Sequence, residues 1–127
     1  MRQQLDDVTR FSCGDCFILA RRIHHIAGWP MHCFASCYDE PSFHAFNVTP
    51  DGRAIDVTGD YAMSTFCKKW GCYKHRDFSR AEMRIWDTDE KTGEWLGPVF
   101  GKYSYQRARV VADRIVSEWK EKHGESS

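Results

Sequence analysis

The sequence predicts an α+β fold, on three observations. Cys16, Leu19, Ala20, Ile23 and Ala27 recur at the three- and four-residue spacing of a helix face. Aromatic and β-branched runs then follow between residues 31 and 58, interrupted by the turn signal Pro50-Asp51-Gly52. A second helical stripe, Tyr105, Ala108, Val111, Ala112, Ile115 and Trp119, comes near the end. The architecture expected is an N-terminal cysteine-bearing helix packed on a small antiparallel β-sheet, with a C-terminal helix on the sheet or at its edge. At 127 residues the chain is read as one domain, residues 1–127, large enough to bury a core without metal or disulfide staples.

Taken in order, residues 1–11 read as a polar lead-in. The first helix starts near Cys16, with Ser12 or Asp15 available to cap its first turn. It ends at Gly28-Trp29-Pro30, because glycine accepts a left-handed stop and proline cannot continue the hydrogen-bond ladder. Three antiparallel strands are expected near residues 31–38, 42–49 and 53–58. A short helix is expected over residues 61–70 and a further strand over residues 72–78. Glycine and proline punctuate residues 87–103, which read as a long surface connection. The closing helix is placed behind a Ser104 cap, and its charged end from Glu118 onward reads as solvated.

Composition narrows the function classes. Lysine and arginine balance aspartate and glutamate, 18 against 18, so net charge draws the chain neither to nucleic acid nor to an acidic membrane surface. No stretch approaches the roughly 20 apolar residues of a membrane span, and the first residues lack the apolar core of a signal peptide. These features point to a cytoplasmic protein without a nucleic-acid or membrane partner. In that compartment the six cysteines (Cys13, Cys16, Cys33, Cys37, Cys67, Cys72) are expected to be mainly reduced, hence reactive, metal-bound or buried.

The chemistry centres on Cys16. A helix N-terminus offers positive dipole and free amides to a sulfur placed there, which favours the thiolate. A cysteine nucleophile also needs a base, and the base needs a group that fixes its tautomer. His44 and Asp56 are candidates if they can meet. With Pro50, Asp51 and Gly52 as a three-residue connection, Thr49 pairs with Arg53, Phe46 with Asp56 and His44 with Thr58. His44 and Asp56 then share one sheet face as diagonal neighbours. A two-residue connection would put them on opposite faces.

On these residues the chain resembles the transglutaminase-like proteins of the wider papain-like group of cysteine enzymes. The segment GDCFILA followed by AGWP is similar to their cysteine helix, and HAFNVTPDGRAIDVTG to their histidine strand, turn and D-x-T strand. The likeness spans residues 12–59. It implies a papain-like core, with Cys16 as nucleophile, His44 as general base and then acid, and Asp56 as orienter of the imidazole. It also implies a cysteine hydrolase, deamidase or acyl transferase that acts on amide or acyl groups of a protein or peptide through a thioester, with no cofactor or metal. The Cys16 amide is the expected oxyanion donor, with Gln3 or Gln4 as side-chain alternatives.

Two other classes compete. A binding protein of bacterial or phage effector or inhibitor type could keep the fold and use aromatic surface, including Trp70, Trp86 or Trp95, to hold a target protein. A zinc-stabilised interaction module could draw on Cys13 and Cys16 with Cys33, Cys37, Cys67, Cys72, His32 or His75. The pair Cys13 and Cys16 also has redox C-x-x-C spacing, but lacks the buried strand that precedes such motifs. His75 and His123 read as edge or surface histidines, and His24 and His25 as lying at the rim of the helix face.

Overall fold

The computed structural model describes residues 6–12, 15–34, 44–77 and 102–124. Among these residues four helices and five strands follow in the order α1 (Asp7–Ser12), α2 (Cys16–Ala27), β1 (Met31–Phe34), β2 (Ala45–Val48), β3 (Ala54–Asp56), β4 (Gly59–Tyr61), α3 (Met63–Trp70), β5 (His75–Asp77) and α4 (Lys102–Lys122). The strands form one antiparallel sheet in the order β4-β3-β2-β1-β5. The α+β class and the small antiparallel sheet are thus as expected.

Helix α2 stops where the sequence places its stop. Gly28 takes φ 78°, and its N–H closes on the His24 carbonyl at 2.8 Å. At the other end Asp15 occupies the cap position, but its carboxylate makes no capping bond. It accepts instead from the Ser104 hydroxyl, which itself accepts from Arg10 Nη1 at 2.9 Å. This corrects the expected role of Ser104. It lies inside the first turn of α4, which begins at Lys102, and its hydroxyl ties α4 to the start of α2 rather than capping its own helix.

The lead-in also differs from expectation, since residues 7–12 are helical. Asp6 starts α1 by accepting the Thr9 N–H at 2.8 Å, and Arg107 holds Asp7 through two hydrogen bonds of 3.1 and 2.7 Å. Phe11 is buried while Val8 is half exposed, so one turn of helix leaves no apolar stripe for a sequence to display. Strand β4 was likewise unexpected: it follows β3 through a turn at Val57-Thr58. The expected strand over residues 31–38 is described only to Phe34, and that over 42–49 only from His44.

The two sheet faces have different partners. One carries Met31, Cys33, Ala45, Asn47 and Ile55 and packs against α2 and α4, around Ile23, Val111 and Ala112. Trp29 meets Trp119 edge-on there, with ring centroids 5.1 Å apart. The other face carries Phe34, Phe46 and Ala54 under Phe66 and Cys67 of α3. No helix among the described residues is long and apolar enough to cross a membrane.

Candidate active site

The hairpin that carries the site has the register the three-residue connection requires. Asn47 pairs with Ile55 and Val48 with Ala54, and the Thr49 N–H donates to the Arg53 carbonyl at 2.9 Å. Gly52 supplies the left-handed residue, φ 82°. The same register places Phe46 opposite Asp56, so His44 and Asp56 project from one face. They meet: His44 Nε2 lies 2.8 Å from Asp56 Oδ2, and both residues are buried, at 2% and 4% exposure.

Asp56 is held from both sides. Its second oxygen accepts from the Thr58 N–H at 2.8 Å and from the Thr58 hydroxyl at 2.6 Å. The single Thr58 hydroxyl proton is thereby committed, so Lys69 Nζ, 3.0 Å from Thr58 Oγ1, donates to it, as does Tyr61 Oη at 2.9 Å. Burial on its own would raise the Asp56 carboxyl, but the hydrogen bonds from His44 and Thr58 outweigh it and hold the group below the usual carboxylate range. An ionised Asp56 accepts, which assigns a proton to His44 Nε2; in the neutral imidazole Nδ1 is then the nitrogen that carries the lone pair. That Nδ1 is buried and has no hydrogen-bond partner among the described residues.

Cys16 is the first residue of α2 and is 4% exposed. Its sulfur accepts the Ala45 N–H at 3.4 Å, which puts it against the peptide that joins His44 to β2. Burial pushes the thiol up to about 11, opposed by hydrogen bonds from the amides of Ala45, Cys16 and Phe17. The sulfur is therefore a thiol at neutral pH, and a base must remove its proton before it attacks. The Cys16 and Phe17 amides lie in the first helical turn and donate toward the sulfur. The Cys16 amide, beside the sulfur at the start of the helix, can hold developing negative charge.

The imidazole plane is fixed by an aromatic cage. Trp70, at the C-terminus of α3, stacks on His44 with centroids 4.0 Å apart and planes 13° from parallel, and Phe66 lies 6.0 Å away. Gly71 ends α3 at φ 67° and so leaves Trp70 as its last helical residue. The contact of Trp70 with His44 has no signal in the sequence, which offers only a tryptophan at the end of a short amphipathic segment. The Thr58 anchor did have a signal, since an aspartate two residues before a threonine commonly folds back on it.

The remaining candidates fall elsewhere. Cys33 packs in the same apolar cluster as Cys16, and Cys67 and Cys72 are buried at the end of α3 and just beyond. Cys13, Cys37, Gln3, Gln4, Trp86 and Trp95 lie outside the described residues. Among the described residues no three histidine, cysteine or acidic side chains converge as a metal site. No family profile matches the chain, and neither curated proteins nor solved structures give a match.

Proposed function

We propose that the protein is a small cysteine-dependent enzyme of transglutaminase-like type that acts on amide or acyl groups. One observation carries this reading: the buried His44–Asp56 hydrogen bond at 2.8 Å leaves His44 Nδ1 without a partner among the described residues, with the Cys16 sulfur against the next peptide. Nδ1 takes the thiol proton as the sulfur attacks a carbonyl carbon. The Cys16 amide receives the oxyanion. The imidazolium then returns the proton to the leaving amine, and a thioester remains on Cys16 until water or an amine displaces it. Because the resting thiol is protonated, proton transfer accompanies attack rather than preceding it as a standing ion pair.

The test is alkylation of Cys16 by iodoacetamide from pH 6 to 10, followed by mass spectrometry, in the wild type and in His44→Ala. The proposal expects Cys16 to be modified at pH 7 at least tenfold faster in the wild type. p-Nitrophenyl acetate should also leave an acetyl thioester on Cys16. The second reading, a binding protein in which Cys16 is structural, is favoured by the 4% exposure of that residue. Alkylation equally slow in both proteins, rising only as pH climbs toward 11, with no acetyl thioester, would decide for the binder.

A further inference from the structure

The α3-covered sheet face holds a second polar cluster, separated from His44 by the phenylalanine wall. In the β1–β2 register His32 stands opposite Phe46, and in the β1–β5 register it stands opposite Asp77, while His75 is opposite Phe34. His32 and His75 are therefore diagonal neighbours on one face. Their Nδ1 atoms are 2.9 Å apart, and both side chains are only half buried, so ions in solution reach them. Paired strands fix the two backbones, and Phe34 and Phe46 back the rings at centroid distances of 5.7 to 5.9 Å.

We propose that His32 and His75 form a bidentate site for a divalent transition-metal ion of the nickel(II) and copper(II) class, bridging β1 to the edge strand β5. The separation and the imidazole donors suit this class. Two nitrogens 2.9 Å apart, each about 2.0–2.1 Å from an ion, subtend about 90° at it. That is the cis angle of square-planar or octahedral coordination, which imidazole, carboxylate and water ligands favour for copper(II) and nickel(II). A tetrahedral zinc would need the nitrogens roughly 3.3–3.4 Å apart.

The step balances without a redox partner. In the metal-free pair one ring donates its Nδ1 proton to the other ring's Nδ1. On binding, the donor ring shifts that proton to its own Nε2, both Nδ1 lone pairs turn outward to the ion, and two coordinated waters leave. Asp77, directly across from His32 and exposed, adds negative charge beside the site, and water fills the other positions.

The experiment is nickel(II) titration of the full chain by calorimetry, with nickel-induced broadening of amide resonances as a second measurement. His32→Asn and His75→Asn are the variants, because asparagine keeps a hydrogen-bonding group near the Nδ1 position without a metal-binding nitrogen. His25→Ala, at an exposed histidine on α2, is the control. The proposal expects one equivalent bound, broadening centred on residues 31–34 and 75–77, affinity at least tenfold lower in each asparagine variant, and an unchanged control. Absence of saturable binding, affinity retained in either asparagine variant, or broadening centred on the cysteines would overturn it.

Discussion

At the scale of single residues, the site is a balance between burial and hydrogen bonding. Asp56 is ionised because its partners outweigh desolvation, which sets the sign of a pH effect. Its folded carboxyl titrates below the unfolded value of about 3.9, so it adds stability above that pH, and this contribution is lost as pH falls through the folded value. Acid unfolding should therefore begin at lower pH in Asp56→Asn, once compared at equal neutral stability, as followed by circular dichroism. Asp56→Ala strands the His44 and Thr58 donors in a buried site and should cost roughly 2–3 kcal/mol in urea unfolding at pH 7. Cys16 has the opposite sign: its raised thiol favours folding below about pH 8.5, and that advantage fades as pH rises toward 11.

At the scale of elements, two short pieces decide whether the site exists. The β2–β3 connection contains three residues, and removing Asp51 would leave two. The pairing would shift by one, turning either His44 or Asp56 to the opposite face. Deletion of Asp51 should abolish the hydrogen-bonded His44 ring N–H resonance and any His44-dependent labelling of Cys16. Helix α3 is the other piece. Trp70→Ala removes the ring stacked on His44 while leaving Asp56 and Thr58 in place. Cys16 labelling at pH 7 should fall several-fold, with a smaller loss for Trp70→Phe, because a phenyl ring still covers the imidazole.

At the scale of the molecule, the α2–α4 packing supports the sheet that carries the histidine. Ile23 is fully buried between these helices, in the cluster with Val111, Ala112 and Trp119. Ile23→Ala should cost about 2–5 kcal/mol, measured by urea unfolding, with the range set by how far the core closes around the lost volume. Asn47 links the same layers, since its buried amide donates to the Ala20 carbonyl at 3.1 Å and the Trp29 carbonyl at 3.4 Å. It joins β2 both to α2 at Ala20 and to Trp29 just past the end of that helix.

The amino-acid sequence alone determined the cysteine helix and its Gly28 stop and the α+β class, and it made the shared face of His44 and Asp56 conditional on an odd hairpin loop, which the tertiary structure supplies. Those features are local: periodicity, a left-handed glycine and the two-residue alternation of a strand are written within a few residues of where they act. Helix α1, the tertiary role of Ser104, the Trp70 stack and the meeting of His32 with His75 were decided by the tertiary structure. Each depends on which side chain arrives from a distant segment. A short segment with one buried anchor, or a serine whose partner lies 89 residues away, carries no local pattern that separates it from solvated surface.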